Sequence, residues 1–147
     1  ELLDPGVRAE TKKRGGALIW RAAGIGRGVV VIEGGCAADV TAAFDAVMGA
    51  LHRTVSAEDE PMMNVFCAHS GECWRLMIFP RLKHRPAAYF REGEGRLCVS
   101  PGAVEMGGVF VTHREEDFRT LHPELIADIF REVAFDDAAV ETLFAAL

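Results

Sequence analysis

The chain has 147 residues, 50% of them hydrophobic and 26% charged, and its 22 acidic against 16 basic residues give a formal net charge of -6. That is one domain's length, and a domain of this size buries roughly 70% of its unfolded surface, so neither a metal nor a disulfide is required to hold it. The acidic balance argues against a general nucleic-acid or membrane-surface binder, which carries a broad basic face, and no apolar run approaches the ~20 residues that span a bilayer.

Residues 1–16 read as a polar, poorly structured lead-in broken at Pro5-Gly6 and Gly15-Gly16. They lack the apolar core of a secretion signal, which points to a cytoplasmic location. The start at Glu1 rather than Met reads as a processed product or a piece of a longer protein. A single domain is expected over residues 17–147. Ala17 to Ala22 reads as a strand and Gly28 to Glu33 as a second, with the glycines at 24, 26 and 28 turning between them. A nucleotide-binding glycine loop must open a helix whose N-terminus holds the phosphate. This run leads instead into Val29-Val30-Val31-Ile32, so a hairpin turn is expected.

Gly34-Gly35 ends the second strand. Val40, Phe44, Val47, Met48 and Leu51 then fall at helical spacing and predict a helix packed on a sheet. Ser56 to Pro61 is an acidic loop. Met62 to Ala68 and Cys73 to Phe79 predict a hairpin turning at Ser70-Gly71. Its second arm is nearly all apolar, as in a strand covered on both faces. Leu97 to Val99 and Val109 to Thr112 are expected as short strands. Pro123 opens a helix where its missing N–H costs nothing, with Leu125, Ile126, Ile129, Phe130 and Val133 on the apolar face, and Asp136 caps a final helix. The pattern is an α+β domain: a mostly antiparallel sheet with packed helices.

Cys36, Cys67, Cys73 and Cys98 contain no Cys-x-x-Cys pair and read as reduced core residues. Cys67-x-His69 with Cys73 offers three metal-ligand types but no evident fourth. Cys67 and Cys73 are expected to face each other across the hairpin, which explains their proximity without a metal. No metal or cofactor is implied. There is no Gly-x-Ser-x-Gly elbow and no His-x-His pair, so the catalytic residue is unknown.

The densest chemical signal is Phe79-Pro80-Arg81-Leu82-Lys83-His84-Arg85-Pro86. Positive charge gathered in one loop of an acidic protein suits a small anion. Arg81 and Arg85 are candidates for paired hydrogen bonds to a phosphate, Lys83 for a point charge, and His84 for a single N–H donation. Pro80 and Pro86 restrict the backbone on either side. The other reading of the octet is a solvated loop balanced by Glu92, Glu94 and Glu115. The second candidate segment runs from Ser100 to Gly108, where Gly102, Gly107 and Gly108 permit close backbone approach to a ligand. An ordinary turn or bulge fits it equally.

Pro61-Met62-Met63-Asn64, Phe79-Pro80-Arg81, Lys83-His84-Arg85-Pro86, Ser100-Pro101-Gly102, Met106-Gly107-Gly108 and Glu115-Glu116-Asp117-Phe118 together resemble an uncharacterised bacterial family. That family is related to galactose-1-phosphate uridylyltransferases and dinucleoside-tetraphosphate phosphorylases, within the histidine-triad (HIT-like) superfamily. The resemblance runs from about Ala17 to the C-terminus. It implies a HIT-like α+β fold and a nucleotide or sugar-phosphate ligand. In those enzymes a histidine carries the nucleotidyl group covalently, in a His-x-His-type motif that this sequence lacks. The chain therefore resembles the C-terminal half alone. Arg81, Lys83, His84 and Arg85 carry over as phosphate-side residues, and no nucleophile carries over; the candidate ligand loop at Ser100, Gly102, Gly107 and Gly108 is expected to face them. The partner implied is a missing N-terminal half or a second copy of the chain. The alternative is a non-catalytic packing or dimerisation domain with no ligand.

Overall fold

A computed structural model describes residues 5–55 and 60–147, so the first four residues and most of the acidic loop expected at 56–61 lie outside the described residues. The architecture is α+β, built on one five-stranded antiparallel sheet. The strands are β1 (Arg8–Arg14), β2 (Ala17–Ala22), β3 (Val30–Gly34), β4 (Met63–Ser70) and β5 (Cys73–Pro80), in spatial order β1-β2-β3-β5-β4. Helix α1 (Ala37–Val55) carries the chain from β3 to the β4 edge. The helices α2 (Ala103–Met106), α3 (Glu115–Thr120), α4 (Pro123–Val133) and α5 (Asp137–Ala145) follow the sheet in sequence.

Alternation along the strands separates two apolar layers. Ile19, Ile32 and Leu76 pair across neighbouring strands and pack against Val40, Val47 and Leu51 of α1 and Leu143 and Phe144 of α5. Trp20, Val31 and Met77 pair on the opposite face, where Phe79, Met106 and Phe130 complete the layer. The glycine run does turn a hairpin: Gly24 and Gly26 hold positive φ between the antiparallel β2 and β3. The hairpin of β4 and β5 turns at Gly71, also at positive φ. Pro123 opens α4, and the Asp136 carboxylate accepts the Ala139 N–H at 2.7 Å at the start of α5.

Four sequence expectations need correction. Residues 8–14 are an edge strand rather than an unstructured lead-in. Their side chains are almost all exposed, so no apolar alternation announces the strand. The β2 ladder and a tight turn at Gly15-Gly16 hold it, and its lysines and arginines suit an unpaired edge. Residues 97–99 and 109–112 belong to no strand. Leu97 and Val99 are buried against Ile129 of α4, away from the sheet, while Val109 and Val111 are exposed. Cys36, Cys67 and Cys73 are exposed free thiols and Cys98 is half-buried, so the cysteines are not core residues. Finally, Cys67 lies opposite Leu76 and Cys73 opposite Ser70. The two cysteines point to opposite faces of the hairpin, because their six-residue separation spans a turn rather than a register pair.

Candidate functional site

Strand β5 is exposed at Cys73 and fully buried at Ile78, Phe79 and Pro80. It therefore delivers the basic octet from a rigid support. The segment after it is held from behind by the link between α4 and α5: the Leu82 N–H donates to the Val133 carbonyl at 2.9 Å, and the Phe135 N–H to the Pro80 carbonyl at 3.1 Å. The Arg81 N–H donates to the Met62 carbonyl at 2.9 Å.

The four basic residues of the octet have four different surroundings. Arg81 is buried, at 6% exposure. Its Nε donates to the Lys83 carbonyl at 3.2 Å, Nη2 to the His84 carbonyl at 2.6 Å, and Nη1 to the Pro101 carbonyl. Burial lowers its pKa from the ordinary arginine value, and the negative charge of Glu105 opposes that shift. An arginine nonetheless stays protonated in a protein, and three carbonyl dipoles here take the place of water. Lys83 is paired at 2.8 Å with Glu132 of α4, which also accepts the Ala87 N–H at 2.8 Å. The Lys83 hydrogen bond is the main reason that the Glu132 carboxyl lies below its ordinary range. The acid that balances the octet thus comes from α4, and Glu115 is engaged instead by Arg119 at 2.6 Å. His84 is exposed and lines a cleft of about 700 Å³ together with Arg81, Leu82, Glu60, Met62 and Phe135.

Arg85 is exposed, its guanidinium carbon 4.2 Å from the centre of the Tyr89 ring. Among the described residues no carboxylate pairs with it. It opens onto a second cleft, of about 380 Å³, lined by Arg85, Tyr89, Cys98, Ser100, Glu105, Val111, His113 and Arg114. Of the sequence candidates, this cleft gathers Arg85 and Ser100. It leaves Arg81 and His84 to the larger cleft and Lys83 to Glu132. Tyr89, Glu105, His113 and Arg114 were not singled out in the sequence. Their only common signal is a charged or aromatic side chain within three short segments that the fold brings together.

The Ser100 to Gly108 segment faces the octet, but its glycine amides are engaged internally. The Gly102 N–H donates to Glu105 Oε2 at 2.7 Å, Gly107 N–H to the Ala103 carbonyl at 3.0 Å, and Gly108 N–H to the Glu105 carbonyl at 3.0 Å. Gly108 needs to be glycine because its φ is +99°. Gly107 needs to be small because a Cβ would stand 3.2 Å from Phe66 Cζ. What the segment offers the cleft is the Ser100 hydroxyl, which donates to the His84 carbonyl at 3.0 Å, and the Glu105 carboxylate, whose Oε1 also accepts the Val111 N–H at 3.3 Å.

The far wall is fixed by Arg114. Its Nε and Nη2 donate to both oxygens of Asp117 at 2.9 and 2.6 Å, and Nη2 also reaches the Arg96 carbonyl at 3.1 Å. Asp117 is 1% exposed and accepts the Cys98 N–H at 3.3 Å. The hydrogen bonds from Arg114, ahead of every other influence, hold the Asp117 carboxyl below its usual range and raise the pKa of Arg114. With Arg114 neutralised, the cations left to meet a ligand are Arg85 and, when protonated, His113. Among the described residues no three His, Cys, Asp or Glu side chains are placed to hold a metal, and no helix is long and apolar enough to cross a membrane.

No curated protein and no solved structure matches the chain. Residues 27–146 match the family described as "GDPGP1-like, C-terminal domain", a span that covers β3 to α5 and every wall of both clefts. The chain belongs to this GDPGP1-like C-terminal domain family, which is nucleotidyltransferase- or phosphorylase-like.

Proposed function

We propose that the cleft between Arg85 and the 98–114 segment binds the phosphate of a nucleotide or sugar-phosphate ligand, as the contribution of this domain to a nucleotidyl-transfer or phosphorolysis site. The observation that carries the reading is Arg85, an exposed guanidinium ordered on an aromatic ring with no carboxylate partner among the described residues. Two N–H groups of one guanidinium match two oxygens of one phosphate. His113 stands in the same cleft as a second donor. The family match supports phosphate chemistry. The chain holds no His-x-His pair, so in this reading it supplies phosphate contacts while the nucleophile comes from elsewhere. In this reading Lys83, paired to Glu132, and His84, on the other cleft, lie outside the phosphate cleft.

Titration calorimetry of the 147-residue chain with glucose 1-phosphate, UDP and GDP tests this. Saturable binding to at least one of them, weakened about tenfold by Arg85→Ala, is expected, since a lost charged hydrogen bond is worth ~1.5 kcal/mol or more. Binding unaffected by Arg85→Ala overturns the assignment.

A second reading is a packing or dimerisation domain without a ligand. It draws on Leu82, Phe90, Val104, Val109, Val111 and Phe118, which are all exposed and all lie in the excursion between β5 and α4. Exposed apolar side chains that adjoin one another mark an interaction face, which here would meet an N-terminal half or a second copy of the chain. Sedimentation of the chain over a concentration series distinguishes self-association from a monomer.

A further inference from the structure

The two edges of the sheet are built differently. On β1, Arg8, Glu10, Lys12, Lys13 and Arg14 place charge along the strand, and its register to β2 shifts between Arg8 and Glu10. Charge and an irregular register both keep an edge from pairing further. Strand β4, at the other edge, has neither. Residues 63–70 include no Asp, Glu, Lys, Arg or Pro, and the register to β5 runs unbroken from Met63 opposite Pro80 to Ser70 opposite Cys73. Among the described residues β4 pairs with β5 alone. A straight, neutral edge strand presents a row of N–H and C=O groups to another strand.

The hairpin decides which residues present that row. Ser70 and Cys73 close a two-residue turn, so they exchange hydrogen bonds, and the exchange recurs at every second residue. The Arg81 N–H that donates to the Met62 carbonyl at 2.9 Å keeps the same parity. Even-numbered residues of β4 therefore bond to β5, while Met63, Val65, Cys67 and His69 turn their backbone groups outward. The side chains of these odd residues share the face that carries α1. There Val65, Cys67 and Trp74, with Val40, Thr41 and Phe44 of α1, line an apolar groove of about 390 Å³. Val65 is 38% exposed, and Cys67 is an exposed free thiol.

A second copy of β4 fits this edge. Two antiparallel copies about a two-fold axis normal to the sheet pair odd residues with odd and even with even, whatever the register. Val65 and Cys67 of both copies then lie on the α1 face, and Phe66 and Ala68 of both lie on the other. Each layer of side chains continues across the junction. No like charges meet across the ladder, because β4 carries no Asp, Glu, Lys or Arg.

We infer that β4 is an interaction surface for a second copy of this chain: two copies join antiparallel through it into one continuous sheet flanked by both α1 helices. This contact does not depend on a phosphate ligand. It also lies on a different element from the exposed apolar residues between β5 and α4.

The test is sedimentation velocity of the full chain across the micromolar range, with Val65→Lys, Cys67→Pro, Lys13→Ala and Phe118→Ser, the fold of each checked by circular dichroism. Wild type is expected to shift with concentration to a species of twice the chain's mass. Val65→Lys sets like charges near one another on the two copies and is expected to weaken association about tenfold or more. Cys67→Pro removes an outward N–H and leaves the β5 ladder whole, so it is expected to keep the fold and abolish the dimer. Lys13→Ala, on the opposite edge, and Phe118→Ser, in the excursion, are expected to associate like wild type. If either β4 variant does not fold, the other decides. A wild-type chain that stays monomeric throughout overturns the inference and leaves β4 to a strand of other origin. A dimer that survives both β4 variants overturns it too. So does a dimer lost in Lys13→Ala or Phe118→Ser but kept in Val65→Lys, which assigns the contact to the other edge or to the excursion.

Discussion

The guanidinium of Arg81 donates to the backbone carbonyl of Pro101, twenty residues away, while its other nitrogens hold the carbonyls of Lys83 and His84. One buried side chain thereby clamps the basic octet to the segment that bears Ser100 and Glu105. The most prominent cation of the octet acts as a positioning residue: it sets the separation of the cleft walls.

Arg81→Lys should lower stability by about 3 kcal/mol, because an ammonium cannot span three carbonyls as a planar fork does and a buried carbonyl left unpaired is costly. Urea unfolding measures this. The same variant should weaken phosphate binding without a change in the charge of the chain, which separates a clamp from a simple point charge.

Gly28→Ala should cost about 2 kcal/mol by overpacking. A Cβ at residue 28 would stand 2.3 Å from Val140 Cγ2 and 2.9 Å from the Phe135 carbonyl oxygen. The side chain could yield, but the carbonyl is fixed by the Gly28 N–H at 2.6 Å. Chemical denaturation is the measurement, with Gly24→Ala as the contrast. That site is open space with a positive φ, so it probes backbone strain alone.

The Asp117 carboxyl has its folded pKa below the ordinary aspartate value, through the hydrogen bonds from Arg114. A depressed folded value means that the unfolded chain binds the proton more readily, so this contribution is complete above the unfolded pKa and disappears as pH falls through the folded one. Thermal melts from pH 6 down to pH 2 should show a steady loss of stability below about pH 4. Asp117→Asn should melt several degrees lower at pH 6 and show a shallower acid decline, since one of the groups responsible is gone.

Asp136→Ala should lose about 1 kcal/mol, the usual worth of an N-cap. The Ala139 N–H, now bonded at 2.7 Å, would have only solvent as a partner. Asp136→Asn should retain most of the stability because its amide oxygen accepts the same bond. Urea midpoints of the two variants give the comparison.

The regular elements were legible because their causes are local. Apolar spacing located α1 and α4, Pro123 and Asp136 marked helix starts, and glycines at positive φ marked the hairpins. Strand β1 was not legible. An edge strand with exposed side chains has no periodic burial to write into the sequence, and its ladder to β2 is a backbone affair. Leu97 to Val99 misled for the reverse reason: the triplet is apolar because it packs on Ile129, not because it lies in a sheet.

The same division holds at the candidate site. The concentration of positive charge after an apolar strand, and the lack of a His-x-His pair, can be read directly along the chain. The tertiary structure decided what each cation does. Arg81 turns inward because three carbonyls converge on it, Lys83 is engaged by Glu132 from α4, and Arg85 is left on Tyr89 facing the cleft. Long, flexible side chains take their partners from whatever the fold brings near. Pro101, Glu132 and His113 lie 20 to 49 residues from the octet side chains they meet or stand beside, so spacing along the chain could not assign those partners.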